Sequence, residues 1–155
     1  MGATHFTGPV ISGDLIQGQT NGPNQGFASL VQEIGIAQNS TSAVSATLYI
    51  PAGSAITSFT VDVLTAFNSG TSATLSIGTV AGGTQYVSGV DVKSATGRIA
   101  ITFTAAQLAA MSGQSVLGVA APTTPPVVIT ITPVGATSAG YVQVNMHYVQ
   151  QTSSN

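Results

Sequence analysis

From Phe27 onward, apolar and polar side chains alternate with a period of two. Val44, Ala46, Leu48 and Ile50 alternate with Ser45, Thr47 and Tyr49, and Pro51-Ala52-Gly53 then supplies a turn. Phe59, Val61 and Val63 alternate with Thr60, Asp62 and Leu64, and Leu75 and Ile77 stand between Thr74, Ser76 and Gly78. Ile99, Ile101 and Phe103 alternate with Ala100 and Thr102, and Val127, Ile129 and Ile131 with Val128, Thr130 and Thr132. The last run sets Val142, Val144, Met146 and Tyr148 against Gln143, Asn145 and His147. Successive side chains of a strand point to opposite faces, so each run buries one face and offers the other to solvent or a partner. The outward positions are rich in Thr, which is polar and also a good strand former.

Turn signals at Asn68-Ser69-Gly70, Gly82-Gly83 and Gly135 separate these runs, as many short antiparallel strands require. The pattern predicts an all-β domain, an antiparallel β-sandwich of about eight strands, jelly-roll-like, over residues 27–150. Spacing leaves sandwich against closed barrel open. The core is expected to include Phe59, Val61, Val63, Ile99, Ile101, Phe103, Val142 and Val144. One segment departs from period two. In "TAAQLAAMSG", Thr104 and Gln107 have capping-box spacing and Ala-rich helix formers follow, which predicts a two-turn helix over 105–112 closed by Gly113.

Residues 1–26 read as an arm, because Gly and Pro punctuate them too often for regular structure. Between the breaks stand apolar patches, Phe6, Val10-Ile11 and Leu15-Ile16, interrupted by one charge, Asp14. Solvated tails are poor in such residues. The patches therefore suit an arm that docks on a partner or on a neighbouring subunit, or one that folds back on its own domain. Residues 151–155 read as a flexible tail.

Composition sharpens this picture. Only 4% of the 155 residues are charged, against roughly a quarter in ordinary globular proteins, and 17 Ser and 21 Thr supply the polar surface instead. Two cations, Lys93 and Arg98, release too few counterions to hold nucleic acid, and no polybasic run addresses anionic lipid. Weak self-repulsion leaves little protection against association, so the surface suits contact with other protein. The N-terminus lacks a basic segment followed by an apolar run, so no signal peptide is expected. No stretch approaches the roughly 20 apolar residues of a membrane span.

Candidate chemistry is sparse. His5 and His147 are the two histidines, and neither spacing nor a third ligand type marks a zinc site. There is no cysteine, hence no disulfide or thiolate site, and no G-x-S-x-G elbow. Asp62 and Asp91 lack any reason to converge as a carboxylate pair, and Asp91 with Lys93 reads as a surface charge pair. The expectation is a non-enzymatic chain with no cofactor, no metal and no nucleic-acid or membrane partner.

The stretches "IPAGSAITSFTVDVLTAFNSGTSATLSIGT", "YVSGVDVKSATGR" and "AGYVQVNMHYVQ", with "THFTGPV" near the start, resemble virion proteins of tailed bacteriophages. These are the capsid decoration proteins, also called cement or head-fibre proteins. The resemblance covers roughly residues 4–15 and 50–149, and its motifs are strand and turn signatures. It implies a structural protein, commonly a homotrimer, that binds the major capsid protein on the outer surface of the virion and stabilises or decorates the shell. It carries no catalytic residue over. The arm patches Phe6, Val10, Ile11, Leu15 and Ile16 are then the expected capsid or subunit contacts. The alternative is a phage fibre, receptor-binding or carbohydrate-binding module, whose loops should carry clustered aromatics.

Overall fold

The computed structural model describes residues 27–51, 54–94, 96–112 and 126–151. Eight strands and one helix follow in chain order: β1 Phe27–Ala37, β2 Val44–Leu48, β3 Ser54–Thr65, β4 Ser72–Gly78, β5 Val87–Asp91, β6 Gly97–Ile99, α1 Ala105–Ser112, β7 Val127–Val134 and β8 Tyr141–Gln151. They form two antiparallel sheets, β1-β8-β3-β6 and β2-β7-β4-β5. This order, in which most chain neighbours sit in opposite sheets, is that of a jelly roll. A sandwich, not a closed barrel, is the outcome.

The alternation decides which side chains meet. On β8, Val142, Val144, Met146 and Tyr148 point inward and are buried, and Ile36, Val63, Val61, Phe59 and Ile56 lie beside them on β1 and β3. Leu48, Ala73, Leu75, Ile77, Val127, Ile129 and Ile131 supply the facing layer. Removing side chains of this size from water contributes roughly 1.5–3 kcal/mol each, which sets the two-layer arrangement. β3 is irregular at Thr57 and Leu64, where its register to β8 shifts. Such bulges add local twist and re-aim side chains.

Five of the eight expected core residues, Phe59, Val61, Val63, Val142 and Val144, are buried. Ile99, Ile101 and Phe103 are not; they are partly buried and pack against the core from its rim. The expected strand over these three ends at Ile99, because β6 lies at a sheet edge and pairs with β3 over three residues only. Beyond Ile99 the chain leaves the sheet to enter the helix.

That helix spans Ala105–Ser112, as its sequence predicts. The capping box forms: Gln107 N–H donates to Thr104 Oγ1 at 3.2 Å, and Thr104 N–H donates to Gln107 Oε1 at 2.9 Å. Two of the N–H groups a helix start leaves unpaired are thereby satisfied. Met111 and Gln107 face the protein and are buried, anchoring the helix against the sandwich.

The two ends of the sandwich differ. At one end β1 begins, β8 finishes, β7 begins, and the β2–β3 connection turns. We call this the entry end. At the opposite end four connections, 38–43, 66–71, 92–96 and 135–140, cross between the sheets.

Candidate functional site

The far connections are tied together by side chains of the turn residues themselves. Asn68 Oδ1 accepts from the N–H groups of Ser138 (2.9 Å) and Ala139 (3.0 Å), and its Nδ2 donates to Ser138 Oγ at 2.8 Å. Ser69 and Thr137 share a buried hydroxyl hydrogen bond of 2.8 Å. Gly70 N–H donates to Ala136 O, and Thr71 N–H to Val134 O. A Cβ at Gly135 would meet Gly70 Cα at 3.0 Å, and Gly135 holds φ at 90°, so close approach and a left-handed backbone both require glycine there. Gln38 Nε2 donates to the carbonyls of Ser40 and Ser42 at 2.6 Å each. All of these hydrogen bonds join neutral groups.

The few charges are engaged locally. Arg98 on β6 sits directly opposite Asp62 on β3, and its Nε and Nη2 donate to the two carboxylate oxygens at 2.9 Å each. The Arg98 hydrogen bond, helped by its charge, holds the Asp62 carboxyl below the usual carboxylate range. The pair lies on the outer face of its sheet and clips a three-residue edge strand to its neighbour. The expected Asp91–Lys93 charge pair takes another form. Lys93 N–H donates to Asp91 Oδ1 at 2.8 Å, while the ammonium donates to the carbonyls of Thr71 (3.3 Å) and Gly70 (3.5 Å). Ser94 Oγ also donates to Asp91, and these hydrogen bonds lower the Asp91 carboxyl in turn. Asp91 thus organises a turn, and Lys93 braces the knitted end.

No group of three or more metal-ligating side chains occurs among the described residues. His147 is half-buried on the outer face of β8, between Val31 and Ser58, and its Nε2 is buried with no hydrogen-bond partner among the described residues. Neither of these register neighbours is a carboxylate. Asp62 and Asp91 serve different partners and do not form a carboxylate pair.

The outer faces hold what remains. The face of the β2-β7-β4-β5 sheet carries a hydroxyl row in which Ser45 and Thr130 hydrogen-bond at 2.9 Å, with Ser76 next in register. Gly82 N–H donates to Thr130 Oγ1, laying the 79–85 loop over one end of that face. On the other sheet, Val31, Leu64 and Tyr141 are exposed.

Phe6, Val10, Ile11, Leu15 and Ile16, the expected contact residues, lie outside the described residues, as does His5. The structure nevertheless shows where their segment joins the domain: Phe27, at the entry end, beside Gln151. Sequence reading did not pair Asp62 with Arg98 or foresee the Asn68 hub. Asn68-Ser69-Gly70 was legible as a turn, but its partners 70 residues away are not signalled by any local pattern. No family model, no curated protein and no solved structure matches this chain.

Proposed function

We propose that this chain is a structural virion protein that attaches to the outer surface of a bacteriophage capsid and decorates or stabilises the shell. The observation that carries the proposal is the polarity of the sandwich. The segment bearing Phe6, Val10, Ile11, Leu15 and Ile16 joins at the entry end, while the opposite end is closed by hydrogen-bonded connections. Anchoring through the first would project the second outward. The resemblance of "THFTGPV" and the three longer stretches to decoration proteins supports the same reading. So does a surface nearly free of charge, which suits contact with protein.

A carbohydrate-binding or receptor-binding role is the alternative, since jelly rolls also serve as lectin domains. Stacking on sugars calls for clustered exposed aromatics. Among the large exposed hydrophobic residues described, the aromatic ones are Tyr49 and Tyr141, at opposite ends of the sandwich. That separation favours the capsid reading.

The test is to add the purified full chain to phage particles lacking it and to reconstruct them. Density for a β-sandwich on the outer shell, entry end toward the major capsid protein, is the expected result. Absence of any density at saturating protein overturns the proposal. The resemblance implies three copies at each site, and the same reconstruction counts them.

A further inference from the structure

Of the four sheet edges, three are blunted. β6 has three residues and β2 five, and β5 has five with a register shift against β4 and Gly89 at φ 62° in its middle. Short strands and irregularities of this kind keep an edge from templating another chain. β1 has none of these devices. It runs eleven residues, Phe27–Ala37, in unbroken register with β8, contains no Pro or Lys, and carries one charge, Glu33. Its other edge pairs with no strand among the described residues. Leu30 (37% exposed), Val31 (55%) and, on the adjoining β2 side, Tyr49 (69%) stand beside it.

We propose that β1 pairs antiparallel with β1 of a second copy of this chain, about a two-fold axis through Gln32. The register follows from three constraints. Core-facing and outward residues must stay on their own faces, so partners have the same parity. Centring on Gln32, the middle residue of β1, pairs all eleven positions, Phe27 with Ala37 through Ala37 with Phe27. It also sets Glu33 opposite Val31 of the second copy, whereas a shift of one residue toward the C-terminus would set Glu33 against itself. On the core side, Leu30 then meets Ile34 and Ala28 meets Ile36, which continues the apolar layer across the junction. Because β1 lies over β2, the same axis brings the two β2 edges and their Tyr49 residues to one side. The contact is isologous, and the assembled sheet has eight strands.

The inference is tested on the isolated full chain, apart from the capsid reading, and it departs from the trimer that the resemblance implies. Sedimentation should show dimers, or assemblies built from an even number of copies. Val31 is exposed on the outward face, so its substitution leaves the core alone. Val31→Glu sets two carboxylate pairs face to face and should weaken association roughly tenfold, while Val31→Lys creates two opposite-charge pairs and should tighten it. The chain has no cysteine, so Gln32→Cys provides a second readout. Residues opposite one another at a strand junction lie within disulfide reach, and mild oxidation should yield a covalent dimer. Leu64→Cys, exposed on β3, should not. A monomer or a simple trimer, equal effects of the two Val31 substitutions, or no cross-linking of Gln32→Cys beyond the Leu64→Cys control would each overturn the pairing.

Discussion

Tyr86 and Phe59 pack ring against ring inside the sandwich, with centroids 6.1 Å apart and planes 29° from parallel. Both are almost wholly buried, and the Tyr86 hydroxyl has no hydrogen-bond partner among the described residues. Burying a hydroxyl without a partner opposes folding. Tyr86→Phe should therefore leave stability within about 1 kcal/mol of the parent, on the stabilising side, whereas Tyr86→Ala should lose about 3–5 kcal/mol. Urea denaturation of the two variants checks this, and a marked loss in Tyr86→Phe would reveal a partner for the hydroxyl.

The same phenol predicts an alkaline limit. Burial pushes the Tyr86 pKa up to about 12, above the ordinary value near 10. A raised folded-state pKa means that its contribution is intact below about pH 10 and is lost as pH rises toward 12, because the unfolded chain ionises first. Comparing denaturation midpoints of the parent and Tyr86→Phe at pH 8 and pH 11 should show the parent losing more.

The Asp62–Arg98 pair predicts the opposite slope in acid. Arg98 lowers the Asp62 carboxyl, so the pair's contribution is present above the unfolded value of about 3.9 and disappears as pH falls through the lower folded value. Asp62→Asn should destabilise modestly at pH 7, and the difference from the parent should vanish near pH 2. High salt should also shrink it, because Arg98 is exposed. A gap that persists in acid would show that the amide lacks something other than charge.

Two close approaches to glycine should respond differently to an added methyl. A Cβ at Gly140 would meet the Phe67 ring, with Cε1 at 2.7 Å, and Phe67 is buried and cannot move aside. Gly140→Ala should cost about 1–3 kcal/mol through overpacking. At Gly35 the obstacle is the outer part of the Tyr141 ring, with Cζ at 2.8 Å, and Tyr141 is exposed enough to swing away. Gly35→Ala should cost less, and thermal denaturation of the two variants reads the order.

Removal of residues 1–16 should leave the eight-stranded domain folded, since its described strands pair among themselves. A circular-dichroism spectrum matching the parent is expected, together with loss of binding to particles that lack the protein. Truncated protein that still binds at parental occupancy would place the anchor on the sandwich itself.

Local pattern in the sequence determined most of the strands, the helix and most of the core, whereas β1 and β5 lack a clean period-two run. Period-two runs forced Val142, Val144 and Met146 to one face, and Thr104 with Gln107 announced the helix start, because both signals act between residues only a few positions apart. The tertiary structure decided everything that depends on which strands become neighbours. Ile99, Ile101 and Phe103 share the core pattern, yet they lie at its rim because β6 ended up on an edge. Asp62 found Arg98 across 36 residues, and Asn68 found Ser138 across 70, through the register of the sheets. The free edge of β1 is likewise invisible in "FASLVQEIGIA", since alternation dictates the face a side chain takes and says nothing of whether a strand has one neighbour or two.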